Sequence, residues 1–303
     1  MSQTSPRIVF HIGAHKTATT HLQHSVGNVT DLLAMEGVQF FGPQSLRARG
    51  RRLEARFDLP FNPRREVADT RPAQVVLDEM LQGGERLVFS EENFIGVLFD
   101  RESDGPPHRI ATPLYPHASV RLAALARRIA PDGIDLCLGL RDPAGFLNSA
   151  YGQALLAEHV VPEGRFRTQN PLSGIDWAEL VARLRDTPGI GRITVWRHED
   201  YAALFPRILT EMLGAPARHV TPIRRSVNPG LSERAVRETI ARWQAGGTGP
   251  IAHAARDAHP IGPDQPAFRL YGDEDAVLSR AFYDEQLRLI ALMDGVTLLR
   301  PEG

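Results

Sequence analysis

The chain has 303 residues, 42% of them hydrophobic and 23% charged, which is ordinary for a globular protein with a sizeable core in one large or two small units. A formal net charge of −1 argues against a general nucleic-acid binder, which usually carries a basic excess. Cys137 is the only cysteine, so no internal disulfide can form; in Asp-Leu-Cys-Leu-Gly-Leu it reads as an inert buried thiol. No long apolar run comes after the short polar start, so the expectation is no signal peptide, no integral membrane segment and a cytoplasmic location.

In chain order, Ile8 to Ile12 is an apolar run of strand type that stops at Gly13. From Thr19 or Thr20 the spacing changes to three and four, with Leu22, Val26, Val29, Leu32 and Leu33 on one face of a helix ending at Gly37. A strand that turns through a short loop into a helix points backbone N–H groups and a helix N-terminus at any anion placed there. Lys16, Thr17, Thr19 and Thr20 add an ammonium and three hydroxyls at that mouth. The chain has 35 Lys plus Arg, of which Lys16 is the single lysine. A compact point charge on a flexible stem suits a tight loop better than a planar guanidinium does.

Val38 to Phe41 reads as a second strand closed by Gly42-Pro43. Residues 44–71 look irregular and carry Arg47, Arg49, Arg51, Arg52, Arg56, Arg64 and Arg65, either a solvated loop or a basic rim for an anionic or sugar-like ligand. Pro72 opens a helix to Gln82, and Arg86 to Ser90 is a third strand with Glu91 and Glu92 at its end. Ligands of parallel α/β sheets sit outside the carboxyl ends of strands, so these carboxylates are candidates for chemistry. Residues 100–116 read as a surface loop, and a helix over Ala118 to Ile129 leads to Pro131-Asp132-Gly133. Ile134 to Leu140 is a buried strand ending in Arg141; Asp142 as N-cap and Pro143 as first helical residue start a helix that runs to Glu158 and carries Ser149.

A helix over Ile175 to Arg185, a strand over Arg192 to Arg197 and a helix from Tyr201 to Leu213 come next. Between the last two lies His198-Glu199-Asp200. Residues 214–231 carry three prolines with Arg224, Arg225, Asn228 and Gly230, and Ser232 caps a helix to Ala245. Gly246 to Pro266 reads as a loop long enough to be a lid or substrate loop, and a last helix spans Glu274 to Met293. Strands alternating with helices predict one parallel sheet covered on both faces.

The first loop departs from the Walker A pattern, since His15 stands where that pattern has glycine before the lysine, and no strand reads as ending in an acidic residue for Mg²⁺. Instead, His15-Lys16-Thr17-Ala18-Thr19-Thr20 resembles the 5′-phosphosulfate loop of sulfotransferases that use 3′-phosphoadenosine-5′-phosphosulfate (PAPS), commonly Pro-Lys-[Ser/Thr]-Gly-Thr-Thr. Arg141 and Ser149, eight residues apart, resemble the family's 3′-phosphate pair, and the form His-Ile-Gly-x-His-Lys-Thr looks most like bacterial members. The resemblance covers two motifs roughly 120 residues apart and agrees elsewhere only in layout. It implies a P-loop-NTPase-like three-layer α/β fold, a single sulfotransferase-like domain over residues 1–303, PAPS as donor and adenosine 3′,5′-bisphosphate as product, with no metal.

By the same resemblance Lys16 steadies the departing 5′-phosphate, residues 15–20 bind it, Arg141 and Ser149 bind the 3′-phosphate, and His198 stands where the family has a tyrosine near adenine. The acceptor hydroxyl needs a general base. Glu92 is the first candidate and Glu91 the second, because bacterial members often carry Ser-x-Glu at this strand end; the base glutamate of polysaccharide sulfotransferases falls at Val88 here. The acceptor is read as a hydroxyl or amine on a small molecule, glycan or glycolipid. Ala18, where the family has glycine, costs nothing if the position is already helical, which is the favoured reading. The alternatives are a P-loop kinase, a metal hydrolase built on His11, His15, His21 and His24, and a non-catalytic nucleotide- or glycan-binding module.

Overall fold

The computed structural model describes residues 6–100, 105–130, 132–224 and 230–301. Pro131, Arg225 and Asn228, named in the sequence reading, lie outside the described residues. The first half runs β1 Arg7–Gly13, α1 Thr19–Gly27, α2 Thr30–Met35, β2 Val38–Phe41, α3 Pro43–Leu46, α4 Leu53–Arg56, α5 Ala73–Leu81, β3 Arg86–Ser90 and α6 Ala118–Ile129. The second half runs β4 Ile134–Leu140, α7 Pro143–Leu156, α8 Glu163–Gln169, α9 Trp177–Arg185, β5 Ile190–Arg197, α10 Tyr201–Leu213, α11 Glu233–Gln244, α12 Ile251–Ala258, α13 Asp273–Ala291 and β6 Val296–Leu298. The six strands form one parallel sheet in the order β2-β3-β1-β4-β5-β6. No helix of the described residues is long and apolar enough to cross a membrane.

Successive strand residues point to opposite faces, and each face is apolar, so the sheet buries both. Phe10, Ile12, Phe89 and Leu138 meet α5, α6, α7, α9 and α13 on one side. Val9, Val88, Cys137 and Trp196 meet α1, α2 and α10 on the other. Burial raises the Cys137 thiol pKa to about 12, the inert state expected of it.

Where the sequence pattern is weak, the structure differs from it. The first helix breaks between Gly27 and Thr30, where Val29 leaves helical geometry, and Leu32 faces outward at 46% exposure. Residues 44–71 hold two short helices whose Leu46 and Leu53 are buried, and the lid segment 246–266 contains α12, with Ile251 and Ala255 buried. Within 100–116, read as a surface loop, Ile110, Leu114 and Tyr115 are buried. Strand β6 and helix α8 carry no clear periodic signal at all.

The start of α7 is the part of the fold that positions the site, because this helix carries Ser149 and comes directly after Arg141. Asp142 accepts from the Gly145 N–H at 3.1 Å and from the Ser279 hydroxyl of α13 at the same distance, while Ser279 Oγ accepts from the Ala144 N–H at 2.9 Å. A helix start whose N–H groups are answered from a second helix is fixed in position as well as capped. Asp142→Ala is expected to cost about 1–2 kcal/mol, the range of a lost N-cap, read as a lowered urea midpoint at unchanged slope.

Candidate functional site

The carboxyl ends of β1, β3, β4 and β5 open into one cavity of about 1480 Å³. Lys16, Ala18, Thr19, Thr20, Arg141, Ser149 and His198 all line it, together with His15 and Glu92. Residues distant in sequence therefore share one concave surface.

The loop between β1 and α1 is shaped by close approach. Ala14 N–H donates to the Gly139 carbonyl at 3.0 Å, and Thr17 packs against the same glycine, where an added Cβ would lie 2.8 Å from Thr17 Oγ1. A glycine inside an apolar strand is the sequence signal for such an approach. Lys16 and Ala18 both take left-handed backbone, with φ of 65° and 68°. Alternating left- and right-handed residues curl successive N–H groups into an anion-binding concavity. Among the described residues, no acceptor meets the N–H groups of Lys16 through Thr20, which stand next to the N-terminus of α1.

Two expectations for this loop are corrected. Ala18 is not helical: it precedes α1 in left-handed backbone, which costs an L-residue about 1–2 kcal/mol. Thr17 does not present its hydroxyl to the cavity, because Oγ1 donates to the Ala14 carbonyl at 2.7 Å and the side chain is buried against β4.

Arg141 NH1 donates to the Lys16 carbonyl at 2.9 Å, joining the end of β4 to the loop. Lys16 Nζ donates to Gln153 Oε1 of α7 at 2.7 Å. Neither cation has a carboxylate ion-pair partner among the described residues. Burial, then the nearby Arg141 charge, lowers the Lys16 pKa to about 8, and burial likewise lowers that of Arg141. His198, half-buried at the end of β5, has no partner on Nδ1, and burial followed by the Arg141 charge lowers it to about 4. The cavity thus holds two under-neutralised cations and a neutral imidazole.

At the end of β3 the two glutamates differ. Arg47 donates to Glu91 twice, at 2.7 and 2.6 Å, and Glu91 also accepts from the Asn93 N–H at 3.0 Å. That carboxylate is buried and does not line the cavity, so Glu91 is removed as a candidate base. Glu92 lines the cavity and accepts from Gln23 and from Arg47, each at 3.1 Å. Burial pushes its pKa up, but His15, its own backbone N–H, Arg47 and Gln23 outweigh that, leaving it below the usual carboxylate range. Glu92 is ionised at neutral pH.

The histidine cluster disperses. His11 faces Ser90 Oγ at 2.8 Å and stacks on Trp196, and His21 bonds Tyr201 and the Ile223 carbonyl. His15 has Nδ1 on the Tyr115 hydroxyl at 3.0 Å and Nε2 on Asn93 Oδ1 at 3.1 Å, the pattern of a neutral ring donating from Nε2. Burial holds it neutral. No group of three metal-ligating side chains occurs among the described residues. Strand β3, beside β1, does run into Glu91 and Glu92, contrary to the reading that no strand ends in an acidic residue, but Arg47 already bridges both.

Gln153, Gln23, Asn93 and Tyr115 were not anticipated from sequence, and Arg47, named there only within a basic segment, was not expected to pair with the glutamates. Each acts through a partner 44 to 137 residues away, a separation that local pattern does not encode.

No family model matches this chain, and no curated protein matches it. Among solved structures, the crystal structure of a sulfotransferase from Alicyclobacillus acidocaldarius is similar over 84% of this chain and 97% of its own, at 16% identity and a TM-score of 0.37.

Two substitutions test the loop. Gly139→Ala forces Thr17 or its backbone to move, with an expected cost of about 1–3 kcal/mol in chemical denaturation. Ala18→Gly removes the left-handed penalty, offset partly by glycine's chain entropy, for an expected gain of about 0.5–1 kcal/mol.

Proposed function

We propose that this protein is a PAPS-dependent sulfotransferase acting on a hydroxyl acceptor. The observation that carries the reading is that the loop whose N–H groups from Lys16 to Thr20 meet no acceptor lines, through Lys16, Ala18, Thr19 and Thr20, the same cavity as Arg141 and Ser149. That arrangement supports a ligand with two separate anionic groups. Lys16 and the amides of residues 16–20 hold the 5′ end, with Thr19 and Thr20 presenting hydroxyls beside them. Arg141 and Ser149 hold the 3′-phosphate, and the neutral His198, which lines the cavity, suits the uncharged base end. The residues present fit this donor: they offer positive charge where it carries phosphate and an uncharged imidazole where it carries its base.

The donor, when bound, supplies the sulfuryl group: the acceptor oxygen forms the new O–S bond while the S–O bond to the 5′-phosphate breaks, its electron pair staying with phosphate. Glu92, ionised and at the cavity wall, takes the acceptor's proton. Lys16, freed from Gln153, places its ammonium beside the oxygen that gains charge, and the loop amides stabilise the same charge without reorganising. His15 fixes the loop against Tyr115 and Asn93 and keeps both ring nitrogens engaged, so it is a positioning residue. A kinase reading fits less well, because the Thr17 hydroxyl, which would meet Mg²⁺ in a P-loop, is bonded to Ala14.

Calorimetric titration with adenosine 3′,5′-bisphosphate tests the donor site. Lys16→Ala and Arg141→Ala are each expected to weaken binding about 10- to 100-fold, the worth of a charge-assisted contact. Equal binding in both variants, or preference for ATP with Mg²⁺, would overturn the assignment. With labelled donor, Glu92→Gln should lower kcat by about 10²–10⁴ with nucleotide affinity retained. A non-catalytic module would show no sulfated product in the wild type.

The Lys16 pKa gives a pH dependence of definite sign. Only the ammonium attracts phosphate, and in the free protein it loses its proton near pH 8. Affinity for adenosine 3′,5′-bisphosphate should therefore fall as pH rises from about 7 through 8. Lys16→Ala should abolish that fall.

A further inference from the structure

The cavity is larger than one nucleotide needs. Ligand sites are commonly about 300–1,000 Å³, against about 1480 Å³ here. Beyond the residues that face the donor, much of its wall is apolar, although Asn148, Thr210, Arg218 and Arg256 line it too. Leu98, Phe99, Leu231 and Phe268, all buried, and half-buried Leu156 form that wall. Val97 and Ile261, lining the same cavity from two different loops, stay 47% and 43% exposed. Large apolar side chains left exposed within a concave site mark a place that something apolar covers.

This wall is also next to the reacting end. Gln153, which accepts the Lys16 ammonium, and Leu156 lie one turn apart on α7, and the segment from Glu92 and Asn93 leads directly into Val97, Leu98 and Phe99. A hydroxyl at Glu92 would have its carrier against that surface.

Polar alternatives are already occupied. A second, polar cleft of about 990 Å³ meets the first at Thr20, Arg47 and Glu92. There Gln23 donates to Ser90 and Glu92, Arg47 is held by Glu91 and Glu92, and the Ser45 hydroxyl donates to the Gly42 carbonyl. The arginine segment fares the same way: Arg52 pairs with Glu66, and of its arginines only Arg47 reaches the large cavity. Of the two readings of residues 44–71, a basic rim on the large cavity has Arg47 alone to support it.

We infer that the acceptor is an uncharged alcohol on an apolar alkyl or aryl body, seated against Val97, Leu98, Phe99, Leu156, Leu231 and Phe268, and not a free sugar. The inference rests on the donor reading, which makes Glu92 the reacting end. Octan-1-ol, 4-butylphenol and glucose serve as probes, titrated calorimetrically into the full chain with and without adenosine 3′,5′-bisphosphate, and as acceptors with labelled donor. Octan-1-ol or 4-butylphenol is expected to bind, and to be sulfated, at least 30-fold better than glucose. Val97→Asp and Ile261→Asp, both at exposed positions where misfolding is not expected, should weaken the apolar probes at least 10-fold with nucleotide affinity kept within twofold. Glucose binding as well as the apolar probes, or probe affinity unchanged in both variants, overturns the inference while nucleotide binding keeps the donor reading intact. Failure of the wild type to bind adenosine 3′,5′-bisphosphate overturns the donor reading and takes this inference with it.

Discussion

Everything at the strand ends depends on the hydrogen bond from Arg141 to the Lys16 carbonyl. It spans two neighbouring strands and connects the only lysine to the arginine that would otherwise repel it. Two like charges at close quarters in a half-buried site raise each other's cost, and burial adds to it. The backbone carbonyl removes part of that cost for Arg141, and Gln153 does so for Lys16, but neither supplies a negative charge. The pair therefore holds an electrostatic tension, which Glu199 and Asp142 relieve in part at Arg141. Sites that bind charge strongly are often built this way, with the protein's own folding tolerating what the ligand later compensates.

Trp177 and Ser279 show how the rest of the structure supports that tension. Trp177 Nε1 donates to the Arg141 carbonyl at 2.8 Å, and Ser279 braces Asp142 from α13. Both come from elements distant in sequence that pack on one face of the sheet. Gly145 leaves room for the guanidinium to lie over the start of α7, since an added Cβ there would stand 3.2 Å from Arg141 Nε. The site is made rigid from behind, so that little ordering remains for the ligand to impose.

The sequence made the sheet largely readable, for a physical reason. Strands β1, β3 and β4 are buried on both faces, so they appear as mainly apolar runs between turn residues, broken only by His11 in β1 and Asp135 in β4. Helix α6 is bounded as its pattern predicts. By contrast β6 has three residues, and α8 and α12 have seven and eight, too short to hold a shape without the neighbours they pack on. At the site, Lys16, Arg141 and Ser149 were visible because each sits at a fixed offset from a strand end. Thr17 misled because its hydroxyl found a backbone carbonyl in its own loop, a competition that residue type alone does not resolve. Glu91 and Glu92 look alike in sequence; Arg47, arriving from 44 residues away, tells them apart.

The sheet's two borders carry a consequence of their own. One is β2, four residues long, and the other is β6, three residues long with Pro301 shortly beyond it. Neither offers enough open backbone to template an incoming strand from another molecule. Self-association by sheet extension is thereby discouraged without charged guards along the sheet's rims.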